Sequence, residues 1–529
     1  MLHFARSAAT VVMACLALAG SPASAEPDDG IVMTGNGPVR GIEMPDMNVF
    51  LGIPYAAPPV GNLRWRPPQP HARWHGPLDA TRFGSPCPQR PDSFSNAGRG
   101  SVTEDCLFLN VYTRLRDDDE RAEPKPVMVF VHGGGLSAGE SDLYDATWLV
   151  KEGGVVVVTI NYRIGLLGFL AHPALSRETS SYASGNYGLM DQQFALQWVQ
   201  RNIAHFGGNP DNVTIFGESA GGLSVHANLA SPTAAGLFHK AIAESGAYSL
   251  AQPTLLEAEA AGSAFASLPA VGCGSQTAAC LRALPIATIL ANQSNCCSLT
   301  VDGQVLPESV VAAFATGRFN RVPVIEGSNH DEWRLFVAQA EFATGTPLAG
   351  PGYIPAIAAT LGVPAPTAYF IGTFIYPLAA YPPPGTAPSI ALGAVGTDAI
   401  FACNTRVSAR LLAQYVPTYQ YEFSDRSAPI PALATPSFLG GAYHSSELQY
   451  LFDFRAFGFP GLDAGQEGLS DAMLRYWTRF AATGNPNRHG APAWPRYGTS
   501  DQFQSLELPA PVTKGGFAAD HKCAFWGSP

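Results

Sequence analysis

Apolar and polar positions along this chain change their rhythm near residue 100. Before it, short strand-like runs such as Phe50-Leu-Gly-Ile-Pro-Tyr55 alternate with Pro/Gly turns. Beyond it come continuous β-branched runs, Val127–Val131 and Val155–Ile160, which predict fully buried strands. Met190–Ile203 has helical spacing, Val213–Phe216 reads as another strand, and Gly222–Ala230 as a helix. Strands alternating with helices predict an α/β chain built on a mostly parallel sheet, with helices on both faces. Val322–Gly327 predicts a further strand, and Leu448–Phe452 an apolar helix. Residues 253–320 are Ala-rich and helical in character. Residues 343–396 are rich in Pro, Gly and Ala, with Pro382-Pro-Pro-Gly385 inside them, and predict a lid or surface excursion. Neither segment has linker composition and no repeat recurs, so a single domain over 26–529 is expected.

Composition supports a large core: 46% of the residues are apolar and 14% charged. The N-terminus has the order of an export signal. Arg6 gives the positive region, Ala8–Ala19 an apolar stretch short for a bilayer, and Ala23-Ser24-Ala25 a cleavage-type ending before Glu26. A lipoprotein modified at Cys15 is the rival reading, and the apolar run continuing past Cys15 argues against it. No later stretch is long and apolar enough to suggest a membrane span. Loss of residues 1–25 removes Arg6 and no carboxylate, taking the net charge from −11 to −12. Such acidity argues against nucleic acid as a partner and for solubility. Eight cysteines remain without Cys15, an even number that suggests disulfides in an exported chain. Cys87 and Cys106 flank a polar segment, Cys273 and Cys280 bracket a tight loop, and Cys403 and Cys523 remain as a long-range pair. The adjacent Cys296 and Cys297 could bridge each other or exchange with Cys273 and Cys280. No spacing resembles zinc ligation, so no metal and no cofactor is expected. The oligomeric state is open.

Gly217-Glu218-Ser219-Ala220-Gly221 lies between the predicted strand and helix. A serine on such a sharp turn exposes its hydroxyl beside the next backbone N–H, and flanking glycines relieve the crowding. Gly135-Leu-Ser137-Ala-Gly139 fits the same five-residue pattern, but no apolar helix follows it. Ser219 is therefore the candidate nucleophile, and acyl transfer the candidate chemistry.

A serine nucleophile needs a base, and the base an orienting acid. On a parallel sheet of this kind the chain order is serine, acid, histidine. Histidines beyond Ser219 are His226, His239, His330, His444, His489 and His521. His226 is too far along the nucleophile's own helix, and His489 and His521 read as polar C-terminal loop positions. His444 sits in the glycine-led loop 440–447 and is the candidate base. Asp331 and Glu332, in the loop leaving the Val322–Gly327 strand, both qualify as the acid, and spacing does not separate them. His132-Gly133-Gly134-Gly135 follows a strand, so the N–H groups of Gly134, Gly135 and Ala220 are candidate oxyanion donors.

These residues resemble the type-B carboxylesterases, the family of cholinesterases and bacterial carboxylesterases within the α/β-hydrolase fold. Further matching segments are Phe50–Ala56 with Pro58–Gly61, Glu104–Val111, Asn186–Gln192, 206–221, Gly327–Glu332 and Cys523–Trp526. The match is weakest over 253–300 and 340–400. The resemblance implies Glu332 as the acid and Gly134, Gly135 and Ala220 as the oxyanion hole. It implies the disulfides Cys87–Cys106, Cys273–Cys280 and Cys403–Cys523. It gives Glu218 and Ser245 site-shaping places. It implies a serine esterase acting on a small-molecule ester, and the N-terminal signal adds a secreted or periplasmic location. An amide- or polyester-cleaving hydrolase, or a non-catalytic binding protein on the same scaffold, are the alternatives. One departure stands out: the family usually has Gly after the triad Glu, and here Trp333 and Arg334 follow.

Overall fold

The computed structural model describes residues 30–91, 100–114, 123–293, 298–381, 385–431, 436–488 and 492–527. The leader reading of residues 1–25, His489, Cys296 and Cys297 lie outside them. Fourteen strands follow in order. They are β1 Ile31–Thr34, β2 Gly37–Arg40, β3 Ile42–Met44, β4 Met47–Pro54, β5 Leu78–Asp79, β6 Phe108–Thr113 and β7 Lys125–Val131. Then come β8 Val156–Ile160, β9 Gly208–Glu218, β10 Lys240–Glu244, β11 Val324–Asn329, β12 Thr418–Phe423, β13 Phe503–Leu506 and β14 Val512–Lys514.

Eleven strands form one sheet in the order β14-β13-β12-β11-β10-β9-β7-β8-β6-β4-β3, and β1, β2 and β5 form a small sheet beside it. From β8 to β13 every ladder is parallel, whereas β3, β4 and β6 on one edge and β14 on the other are antiparallel. The central strands β8 and β10 are buried at every position. That explains their continuous apolar runs: both faces are covered, so no alternation is needed. One face carries Val127, Val129, Val156, Val158 and Ile215 against Leu196, Trp198 and Val225. The other packs Met128, Phe130, Phe216 and Tyr421 against Met473, Trp477 and Phe480 of the helix Ala464–Thr483.

The elements differ from expectation mainly at their ends. β9 begins at Gly208 because the register shift between Lys125 and Val127 lets the loop before Val213 join the ladder to β7. β11 runs through Ser328 and Asn329, pairing with Glu422 and Phe423, although those polar residues read as loop. Leu448–Phe452 is a short 3₁₀ turn, Ser446–Tyr450, rather than an α-helix. His521 is a correction: it is buried, not in a polar loop.

Residues 343–396 form helices Tyr353–Leu361, Ala365–Phe370 and Ala387–Gly396, with Tyr353, Ile357, Ile371, Leu392 and Val395 in a buried cluster of their own. No Asp, Glu, Lys, Arg or His occurs between Glu341 and Asp398. The excursion is thus held mainly by apolar packing, with Tyr353 Oη donating to Tyr376 O at 2.9 Å inside it. At its end Asp398 accepts from Tyr376 Oη at 2.7 Å and meets His521 Nδ1 at 2.7 Å.

Disulfides join Cys87–Cys106, Cys273–Cys280 and Cys403–Cys523. Among the described residues no helix is long and apolar enough to cross a membrane. Cys403–Cys523 closes 120 residues and Cys273–Cys280 closes 7. Constraint of the unfolded chain grows with loop length, at about 2–4 kcal/mol for a typical bridge. Replacing Cys403 and Cys523 together by Ala is expected to lower Tm more than replacing Cys273 and Cys280, as read by thermal denaturation.

Candidate active site

Ser219 stands between β9 and the helix Ala220–Ala230, with φ 56° and ψ −119°. A non-glycine residue there is strained, and the neighbours enforce it. Ser219 N donates to Glu244 O at 2.9 Å, and Leu223 N donates back to Ser219 O at 2.8 Å. A Cβ on Gly221 would lie 1.9 Å from Val131 O, so only glycine lets the helix start this close to β7. Between Val213 and Ala230 every residue but Ser219 is buried. Ala220 opens the helix, and N–H groups of a first turn have no partner within their own helix.

The glycine loop after β7 lies across from this turn. Gly134 has φ +97°, and a Cβ there would lie 2.1 Å from Ala138 O. The loop is anchored by His132, whose ring stacks on Tyr162 at 4.5 Å. Tyr162 Oη donates to His132 O at 2.8 Å. Burial pushes the His132 imidazole down to about 4, so the anchor is neutral. Ser137 Oγ lies 3.3 Å from Gly134 O inside this loop, away from any strand-to-helix turn.

His444 and Glu332 come from loops beyond β12 and β11. His444 Nδ1 lies 2.5 Å from Glu332 Oε2. An ionised carboxylate only accepts, so Nδ1 carries the proton. Glu332 Oε1 accepts from Ser245 Oγ at 2.5 Å and from Asn329 N at 2.7 Å. Asp331 turns away from His444. Its carboxylate meets Arg334 at 2.9 Å and Arg426 at 3.4 Å, and accepts from Ala442 N at 3.1 Å. Burial raises the Asp331 pKa, but His330, Arg334 and Arg426 together hold it well below the usual carboxylate range. The two adjacent acids have therefore separate partners: Glu332 meets the imidazole, and Asp331 ties the 440–444 loop to the one bearing Glu332.

Glu218 is the group that sequence reasoning placed only loosely. Its Oε1 lies 3.1 Å from His444 Nε2 and accepts from Ser445 Oγ at 2.8 Å. Burial pushes the His444 pKa down, but Glu218, Glu332 and the hydrogen bond to Glu332 overcome this and raise it to about 9. Burial raises the Glu218 pKa, opposed by His444 and Ser445. Two deeper acids escaped the sequence reading. Glu244 is raised to about 8 by burial, despite a hydrogen bond from Trp477 Nε1 at 2.7 Å. Glu447 is raised well above its usual value by burial and by Glu218, Glu244 and Glu332, and it accepts from Asn329 Nδ2. A carboxylate closing the buried strand Lys240–Glu244 was the available signal for the first.

The other candidate histidines among the described residues have other partners. His226 Nε2 is 2.7 Å from Glu326 Oε2 in the core, and His239 Nδ1 accepts from Val213 N. His330, Glu422 and His521 are close enough together to suggest a metal site. Yet His521 already meets Asp398 at 2.7 Å and Glu422 at 2.6 Å, and Arg426 lies 2.8 Å from His330 Nε2. Opposed by that guanidinium, the cluster fits a structural clasp better than a cation.

Ser219, His444, Glu218 and Gly133–Gly135 face one cavity of about 550 Å³. Trp333, Phe336 and Phe401 pack together on one wall, and Phe454, Phe457 and Phe459 also line the cavity. Arg334 reaches the cavity too, but it is committed to Asp331 and donates to Leu439 O at 3.0 Å.

The carboxylesterase family model matches residues 28–346 and 386–526. The gap falls in the uncharged helical excursion. "Cocaine esterase" of Homo sapiens is 34% identical over 502 residues, covering 91% of this chain and 87% of its own. "Pyrethroid hydrolase Ces2e" of Rattus norvegicus is 33% identical over 519 residues, covering 93% and 88%. "Fumonisin B1 esterase" of Sphingopyxis macrogoltabida is 41% identical over 323 residues, covering 60% and 59%. The chain belongs to the carboxylesterase family, with the α/β-hydrolase fold. It is a carboxylic ester hydrolase.

Gly221→Ala is expected to destabilise the fold, since the new methyl would meet Val131 O and backbone atoms of His132. A loss of about 1–3 kcal/mol read by urea denaturation is the expected outcome.

Proposed function

We propose that this chain is an exported serine carboxylesterase that works through an acyl-enzyme. In this reading residues 1–25 direct export and 26–529 form one mature domain. The three disulfides support an oxidising compartment. The observation that carries the reaction is the Glu332–His444 hydrogen bond in the cavity that also holds Ser219 and the glycine loop.

Ser219 Oγ attacks the ester carbonyl as His444 Nε2 takes its proton. Glu332 keeps the other ring nitrogen protonated and offsets the charge that forms on the ring. Glu218, against Nε2, adds to that stabilisation. Backbone N–H groups of Gly134, Gly135 and Ala220 receive the developing oxyanion. His444 then returns the proton to the leaving alkoxide, and the alcohol departs. Next it draws a proton from water as that water attacks the acyl-enzyme, and returns it to Ser219 Oγ as the acyl bond breaks, releasing the acid and the free serine.

Ser219→Ala is expected to cut hydrolysis of short-chain nitrophenyl esters by at least about 10³-fold, while circular dichroism stays unchanged. An organophosphate should label the native protein and not the variant. Turnover surviving in Ser219→Ala would overturn the reading.

A base must be neutral to accept a proton. With His444 raised to about 9, kcat/KM is expected to climb through the alkaline range above the ordinary histidine value. Glu218→Gln removes one of the carboxylates that raise it, so the rising limb should move to lower pH. A pH profile of kcat/KM for both proteins checks the sign.

A further inference from the structure

The cavity carries few charges, and each is already engaged. Apart from tyrosines, the lining side chains that can hold charge are Glu218, Arg334 and His444 among the described residues. Glu218 and His444 face each other at 3.1 Å. Arg334 meets Asp331 at 2.9 Å and Leu439 O at 3.0 Å. Among the described residues, a substrate carboxylate entering this space would lose water and find no uncommitted cation.

Flat apolar surface is what the wall offers instead. The rings of Phe401 and Phe336 lie 4.9 Å and 5.2 Å from the His444 ring. Trp333 backs both, at 4.4 Å from Phe336 and 6.2 Å from Phe401. Its indole is seated by sequence elsewhere. A Cβ on Gly396 would lie 2.1 Å from the Trp333 ring, and one on Gly393 would lie 2.8 Å from Arg334 Cγ. Two glycines three residues apart on the helix Ala387–Gly396 thus make the notch that receives Trp333 and the Arg334 stem. Trp333 N is also tied to Thr397 Oγ1 at 3.0 Å. A bulky ring follows Glu332 here, and the facing helix is shaped to hold it.

We infer that Trp333 is a specificity-determining residue, and that the wall it supports selects neutral esters with a bulky, ring-bearing apolar group over esters with free carboxylates. The inference rests on the serine-esterase reading for turnover, but the binding preference can be measured apart from it. Trp333 sets the position of Phe336 and Phe401, and those two rings meet the substrate beside His444. Stacked or edge-on aromatic contact favours a ring there over a small acyl group.

The first test compares nitrophenyl benzoate with nitrophenyl acetate. Trp333→Gly is expected to lower the benzoate-to-acetate ratio of kcat/KM about tenfold, mostly through KM, the size of discrimination such pockets give. Trp333→Phe should recover part of it. Phe401→Leu should lower the same ratio and guards against misfolding of the glycine variant. The second test uses no turnover: calorimetric binding of 2-naphthol and 2-naphthoate to the Ser219→Ala protein. Naphthol should bind at least tenfold tighter. An unmoved ratio in both Trp333→Gly and Phe401→Leu, or tighter binding of naphthoate, would overturn the inference. Turnover surviving in Ser219→Ala would sink the serine reading alone and leave the naphthol result to judge the wall.

Discussion

A buried carboxylate is tolerable only when its oxygens are satisfied, and Glu332 has both satisfied from three separate elements. Asn329 N comes from its own strand, Ser245 Oγ from the end of β10, and His444 from the loop beyond β12. Parallel neighbours deliver these groups to one edge because their carboxyl ends are all on the same side. Ser245 can reach only because its backbone takes φ 50°, held by its N–H on Gly327 O at 2.8 Å. The positions of His444 and Ser219 therefore follow from sheet register. Shift β10 against β11 and the hydrogen bond from Ser245 to Glu332 would be lost.

Around this carboxylate sit Glu218, Glu244 and Glu447, an unusual gathering of acids beneath one site. Burial first, and the neighbouring acids after it, make Glu218, Glu244 and Glu447 harder to ionise. Glu218 and Glu332 face the imidazole, and the balance there goes the other way: a positive ring is favoured. The site thus favours the protonated imidazole that a proton transfer from serine would create.

Much of this was legible in the chain, and the reasons for the remainder are physical. Continuous valine runs revealed the parallel strands because burial on both faces leaves no other pattern. Gly217 and Gly221 revealed the turn because backbone contact there excludes a side chain. The choice between Asp331 and Glu332 was not legible from spacing, since adjacent residues differ only in direction, and Arg334 and Arg426 decide what Asp331 meets. His521 read as a loop residue because nothing near it in sequence supplies its partners: Asp398 and Glu422 are both about a hundred residues away. Trp333 stood out as a departure, but its seat on Gly396 needed the fold to be seen.

The long uncharged excursion has a consequence of its own. Lacking side chains that titrate between Glu341 and Asp398, apart from tyrosines, its helices cannot answer to salt or acidity through ion pairs. Electrical sensitivity is confined to its two hems, at Glu341 and at the Asp398–His521 clasp. The cavity floor beneath Ser219 and His444, crowded with acids, is the opposite material. One chain thus juxtaposes an electrically silent helical excursion and an acid-rich cavity floor, so acidity can retune the buried carboxylates while the packing of those helices is left as it is.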